Sequence, residues 1–261
     1  MKRIEAIKGT MSFPVLLAMH YDAQSKDPLS KNTNQKGSCR FKEIVLYTSK
    51  LEEQFKFYSG VLGFSVISKT STHFELKVGD SVLKFKESKS NSNPFYHYAI
   101  KIPSNKYLKA KKWLEEKTEL LLDAETGDDL LYFEFWDAHA IYFKDPSGNI
   151  GELIARHTLK NDSIGKFDID DLQCISEIGT PVADPHNFAS ELKITYGLNT
   201  YGSSMFIGDE SGLFVAPTID RLWFPEKKQK ALVYPVDIQI NEKGKKMFQY
   251  KNYPYKIFNQ E

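Results

Sequence analysis

The sequence holds only two cysteines, Cys39 and Cys174, and neither lies in a Cys-x-x-Cys pair. That excludes a disulfide framework and a thiolate zinc ribbon, and it makes a reduced compartment the simpler reading. Net charge is scarce as well: 35 Lys+Arg against 34 Asp+Glu leave +1, so no whole-chain field draws the protein to nucleic acid or an anionic membrane. No run of about 18 apolar residues is present, so no segment reads as a membrane-spanning helix. Phosphate-cradling glycine loops, Ser-His-Asp patterns and zinc-finger spacings are missing too. What is there is 41% hydrophobic and 13% aromatic residues, enough to build a packed core. At roughly 100–200 residues per domain, the length allows one large domain or two small ones.

Residues 1–40 stand apart. An apolar run from Met11 to Met19 follows Lys2, Arg3 and Lys8, and the stretch up to Arg40 is polar and without periodicity. The run suits the hydrophobic part of an export signal, but it is short, carries Pro14 and follows Glu5. Translation from Met11 is another reading. The expectation is a flexible lead-in on a cytoplasmic protein, with export as the minority alternative.

From Phe41 onward a regular order appears. Phe41–Tyr47 reads as a strand, and Lys50–Gly60 carries Leu51, Phe55 and Tyr58 at helical spacing, closed by Gly63. Strands are expected at Ser65–Lys69, Thr72–Val78 and Ser81–Lys86, the last two joined by Gly79-Asp80. The order recurs: a strand at Tyr96–Ile102, a helix at Asn105–Lys117, then strands at Tyr132–Trp136, Ala138–Lys144 and Asn149–Ala155. A third copy begins near Leu172. Glu43 and Glu177 lie 134 positions apart (177 − 43), and Gly63 and Gly197 share that offset. Asp184 and Pro185 supply an N-cap and a first-turn proline for a helix at Pro185–Tyr196. Hairpin strands are expected at Ser204–Ile207 and Gly212–Ala216. A fourth copy starts at Leu232–Ile240, lacks room for a helix, and ends at Met247–Tyr250 and Tyr255–Phe258. Repetition of this kind predicts an α+β fold of tandem βαβββ modules.

The segments EIVLYTSKLEEQFKFYSGVLGFSV, HYAIKIP and AIYFKDPSGNIGELIAR together resemble the vicinal oxygen chelate superfamily, which holds glyoxalases, bleomycin-resistance proteins and extradiol dioxygenases. The resemblance covers Phe41–Arg156 and continues more loosely through Ile175–Pro225. It implies curled mixed sheets that form a cup, a first half over 41–158 with the candidate site, and a degenerate second half over 159–261. A fold shared by unrelated chemistries does not by itself name the reaction.

In metal-dependent relatives, the first and last strands of each module project residues into the cup. Carried over position by position, the resemblance gives Glu43 and Lys84 from the first module and His97 and Glu152 from the second. Alternation agrees: Ile44 and Leu46 oppose Glu43, Tyr98 and Ile100 oppose His97, and Leu153 opposes Glu152. The implied site is a divalent metal (Mn, Fe, Zn or Ni) on Glu43, His97 and Glu152, with open positions for substrate oxygens. Glu43 or Glu152 would also move a proton. Two departures stand out. Ring cleavage uses two His and one carboxylate, yet Glu43 occupies the first His position. Lys84 sits where glyoxalase-type sites carry a carboxylate. Lys84 would then hold an anionic substrate oxygen, or neutralise a carboxylate with no metal at all. His139 and Tyr142 are candidate substrate contacts at the rim and wall of the cup, against the plainer readings of a backbone-satisfied histidine and a packed tyrosine.

In the second half Glu177 repeats Glu43, Val233 falls at the His97 equivalent, and Tyr255–Phe258 offers no carboxylate for Glu152. The resemblance therefore implies no complete metal site there. The expected function is lyase or isomerase chemistry on a small oxygen-chelating substrate. Extradiol ring cleavage and metal-free small-molecule binding are the alternatives. Nucleic acid and membrane are not expected partners, and the chain is expected as a monomer or homodimer.

Overall fold

A computed structural model of the protein describes residues 39–89, 93–242 and 245–259; the apolar run 11–19 and all of the lead-in but Cys39 and Arg40 lie outside them. The first module comprises β1 (Phe41–Thr48), α1 (Leu51–Phe55, continued by a wider π-helical stretch over Lys56–Leu62), β2 (Val66–Lys69), β3 (His73–Val78) and β4 (Ser81–Glu87). Gly63 ends the helix in the left-handed conformation, φ 82°, where a residue without Cβ is unstrained. The second module has β5 (His97–Lys101), α2 (Tyr107–Glu115), β6 (Leu131–Phe133), β7 (Ala138–Lys144) and β8 (Ile150–Arg156). The third has β9 (Cys174–Gly179), α3 (Pro185–Tyr196), β10 (Thr200–Tyr201), β11 (Ser203–Asp209) and β12 (Gly212–Val215). Asp184 caps α3 through the Asn187 amide at 3.0 Å, and Gly197 closes it. The fourth keeps only β13 (Val236–Ile240), β14 (Met247–Gln249) and β15 (Tyr255–Phe258). The expected start of that first strand at Leu232 moves to Val236, after a proline that offers no ladder donor.

The α+β fold of curled mixed sheets is present, but the modules pair in an unexpected way. One sheet has the order β14-β15-β13-β1-β4-β3-β2 and the other β10-β11-β12-β9-β5-β8-β7-β6. The first module therefore shares its sheet with the fourth, and the second with the third. The boundary at 158/159 falls between β8 and β9, and each sheet draws strands from both sides of it. The described residues make one compact unit. The main core cluster joins Ile44, Leu46 and Leu83 of one sheet to Tyr98, Ile100 and Leu153 of the other. Apolar faces of the three helices complete it, with Tyr58, Leu114 and Phe188 among them.

Two contacts fix how the sheets meet. Gly79, at φ +55°, turns so close to the third module that a Cβ would lie 1.9 Å from the Gln173 carbonyl oxygen. Cys39 and Cys174 are joined as a disulfide across 6.1 Å between Cα atoms, which bears against the reduced compartment that the scarcity of cysteine suggests. The disulfide ties the segment entering β1 to the start of β9.

The register also corrects the fourth module. Val45 pairs with Asp237 on one side and with Lys84 on the other. In the companion sheet Tyr98 pairs with Ile178 and Ala99 with Glu177. Superposing the two ladders makes Asp237, not Val233, the counterpart of His97.

Candidate metal centre

Three neighbouring strands of the eight-stranded sheet converge on one point. Ala99 pairs with Glu152 of β8 on one side and Glu177 of β9 on the other. His97 lies two residues before Ala99, on the same face. The small Ala99 side chain leaves room for both carboxylates to lean together over it. His97 Nδ1 lies 3.3 Å from the Ile150 carbonyl oxygen. A proton on Nδ1 leaves the lone pair on Nε2, and a backbone carbonyl is a usual partner for fixing that tautomer.

His97 Nε2 faces Glu152 Oε2 at 3.5 Å and Glu177 Oε2 at 3.8 Å. Both separations exceed a direct N–H···O bond of about 2.7–3.2 Å. They match the spacing of about 3.4 Å between atoms that each lie about 2.1 Å from one tetrahedral centre. Among the described residues, these three form the one group of His, Cys, Asp and Glu side chains placed to share an ion. All three are buried. On both geometry and donor chemistry, the residues fit a divalent cation.

The surroundings are charged and closed. Arg156, the last residue of β8, donates from Nη2 to Glu177 Oε1. Burial first, then the Glu177 charge, push the Glu152 carboxyl well above its ordinary range, with Arg156 and a hydrogen bond from Tyr142 opposing. The Tyr142 phenol is pushed up by the same burial and by both carboxylates. A segment between β12 and β13 covers the cup. Its Trp223 ring lies 5.2 Å from the His97 ring, and Phe224 lies 5.7 Å from Tyr142 and 5.5 Å from Phe133. Glu226 holds the segment to Lys144 at 2.6 Å. Gly179 lets it close, because a Cβ there would lie 2.9 Å from the Trp223 ring. A small cavity opens beside His97 between Phe95, Gly179, Trp223 and Tyr234.

Of the sequence candidates, His97, Glu152 and Tyr142 meet here. Glu43 and Lys84 do not: they lie on the seven-stranded sheet, because the first module pairs with the fourth. There Lys84 bridges to Glu75 at 2.7 Å, and burial raises the Glu43 carboxyl while Lys84 opposes that rise. His139 is also elsewhere. Ala138, Ala140 and Tyr142 alternate toward the cup, so His139 points to the other face. It stacks on Tyr107 with centroids 4.0 Å apart, and its Nδ1 lies 2.7 Å from His157 Nε2. Glu177 and Arg156 were missed as site residues. The signal for Glu177 was its offset from Glu43; for Arg156 there was none beyond a cation following a strand built of apolar residues. The fourth corner, register counterpart of Lys84, is Val215, buried and without a donor.

Residues 40–153 match the model of the glyoxalase/bleomycin resistance protein/dioxygenase superfamily. No curated protein matches the sequence. Among solved structures, a candidate dioxygenase from Bacillus subtilis aligns over 86% of this chain and 86% of its own, at 15% identity and a TM-score of 0.55. Lactoylglutathione lyase from Agrobacterium tumefaciens aligns over 43% of this chain and 90% of its own, at 16% identity and a TM-score of 0.35. A glyoxalase/bleomycin resistance protein/dioxygenase from Nocardioides aligns over 49% and 88%, at 17% identity and a TM-score of 0.35. The first of these shares the fold along most of the chain.

Proposed function

From the membership of residues 40–153 in the glyoxalase/bleomycin resistance protein/dioxygenase superfamily, we propose that the chain is a divalent-metal-dependent enzyme. It acts by lyase or isomerase chemistry on a small substrate that chelates through adjacent oxygens. The observation that carries this reading is the separation of His97 Nε2 from the two carboxylate oxygens, 3.5 and 3.8 Å, which suits a shared cation better than a direct hydrogen bond. Glu177 takes the role first expected of Glu43. His97, Glu152 and Glu177 would hold Mn, Fe, Zn or Ni, and the bound ion would polarise the substrate oxygens as a Lewis acid. Val215 at the fourth corner leaves room for those oxygens. Glu152, whose burial favours the protonated form, is suited to take and return a proton at a substrate carbon. Tyr142 orients that carboxyl, and Trp223 with Phe224 keeps water from it.

Ring cleavage of a catechol is the second reading. The aromatic lining of Tyr142, Trp223 and Phe224 favours it, as does the shared fold with the candidate dioxygenase of Bacillus subtilis. Against it stands the single imidazole, where ring cleavage uses two.

Thermal unfolding of chelator-stripped protein tests the metal claim. Saturating Mn2+, Fe2+, Zn2+ or Ni2+ at about a hundredfold excess over Kd should add about 2.7 kcal/mol, a shift of about 5–10 °C for a domain of this size. Glu177→Gln should abolish the shift and Glu43→Gln should keep it. No shift with any of these ions would favour metal-free binding of a small molecule.

The cytoplasmic placement expected from composition and the Cys39–Cys174 disulfide pull in opposite directions. Alkylation during lysis of the host separates them. Two modified cysteines would support the cytoplasm, and a blocked pair would place the chain in an oxidising compartment.

A further inference from the structure

Arg156 is among the largest fully buried side chains of the protein. Its Nη2 donates to Glu177 Oε1, and its guanidinium lies 5.4 Å from the centroid of the Trp136 ring. Its Nε is buried and no protein acceptor takes it up. A buried donor without a partner costs about 1–3 kcal/mol, so such a group beside a candidate metal ligand points to an acceptor brought by a ligand. Glu177 is divided between two tasks: Oε1 faces Arg156 and Oε2 faces His97 at 3.8 Å. Arg156 therefore stands one carboxylate away from the point where the three candidate ligands meet.

A second cation shares this face. Lys101 lies on β5 four residues beyond His97 and is 2% exposed, with burial and then Arg156 lowering the affinity of its amine for a proton. No carboxylate lies within ion-pair distance of it among the described residues. Arg156 and Lys101 thus place two positive groups on the same three adjacent strands, β9, β5 and β8, as Glu152 and Glu177. Once a divalent cation offsets the two carboxylates, both of these cations are left to face an anion.

We propose that Arg156 is a substrate-binding residue that receives a carboxylate through its Nε–H, so that the substrate is a small carboxylate whose neighbouring oxygens meet the triad. Lys101 adds to the field without being required for the contact. A charged hydrogen bond of this kind confers both affinity and orientation. The assignment rests on the triad as the place where substrate oxygens bind.

Oxalate and its neutral isostere oxamide are the probes, read by quenching of tryptophan fluorescence from Trp136 and Trp223, with chelator-stripped and Mn2+-loaded protein. Oxalate should bind the loaded protein and oxamide should not. With Mn2+ raised until the site of each protein is saturated, since Arg156 also supports Glu177, Arg156→Met should weaken oxalate at least about tenfold, and Arg156→Lys should recover part of the loss. Oxalate affinity within about twofold of the original protein in Arg156→Met, or equal binding of oxamide, overturns the proposal and leaves the metal reading standing. Should Mn2+ fail to bind, oxalate binding by stripped protein that depends on Arg156 supports the proposal while the metal reading falls, and its absence overturns both. If Arg156→Met does not fold, Arg156→Lys decides alone: undiminished oxalate binding overturns the proposal.

Discussion

Glu152 is the residue whose state depends most on what the cup holds. Without a cation its carboxyl is held well above the ordinary carboxylate range, chiefly by burial. The folded protein then binds a proton that the unfolded chain has released. That contribution is fully present below the unfolded value and is lost as pH rises through the folded one. In stripped protein, Glu152→Gln should therefore gain on the original as the solution becomes more alkaline, because it has no charge to bury. Urea midpoints at pH 5 and pH 8 should show the gap widening; a gap that does not widen contradicts the assignment. Part of this site was legible in the sequence, since the family resemblance implies His97 and Glu152 in one cup and strand alternation agrees with it. The rest turns on single exchanges between repeated positions: Lys84 in one sheet corresponds to Val215 in the other, and Phe258 corresponds to Glu152. One sheet face thereby carries the Lys84–Glu75 ion pair and the other the buried His97, Glu152 and Glu177 group.

At the scale of elements, the turn Asp145-Pro146-Ser147-Gly148-Asn149 does more than join β7 to β8. Asp145 Oδ2 accepts from Gln54 at 2.8 Å, Tyr58 at 2.8 Å and the Asn149 amide side chain at 2.6 Å. Its Oδ1 accepts from the Ser147 and Asn149 backbone amides at 2.9 and 3.0 Å. The hairpin of the second module is thus bolted to the first helix, and the π-helical stretch carries the Tyr58 that reaches it. Asp145→Ala should leave these buried donors unpaired and cost about 3–5 kcal/mol, read from denaturant midpoints. A loss under about 1 kcal/mol would mean the hub is dispensable. The elements themselves were legible, because Gly63, Asp184 and Gly197 mark helix ends and apolar alternation marks strands. Which strands become neighbours was not. Periodicity says which face a residue takes and nothing about the edge its strand will pair with, so the cup was first assembled from modules that lie in different sheets. Trp136 shows a smaller limit. The pattern of Tyr132–Trp136 predicts a strand, yet Trp136 turns away after Phe133 to stack on Tyr201 at 4.6 Å.

For the whole molecule, the order of pairing makes the chain close on itself. The last module completes the sheet begun by the first, and the two middle modules make the other. The disulfide spans 135 positions and links the beginnings of β1 and β9, one in each sheet. Closing a loop of that length should contribute about 2–5 kcal/mol. Cys39→Ser, or reduction before unfolding, should lower the urea midpoint accordingly while leaving metal uptake in place, since neither cysteine touches the cup. A midpoint unchanged by reduction would show that the sheets are held by packing alone. Composition gave no hint of this link, because two cysteines far apart in sequence carry no spacing signal.

The central claim is that His97, Glu152 and Glu177 together hold a divalent cation. The most direct measurement is the metal content of protein purified from its own host without chelators. About one equivalent of Mn, Fe, Zn or Ni per chain is predicted, retained in Glu43→Gln and lost in Glu177→Gln. Well under half an equivalent in the unaltered protein, or metal that leaves with Glu43 rather than with Glu177, would contradict it.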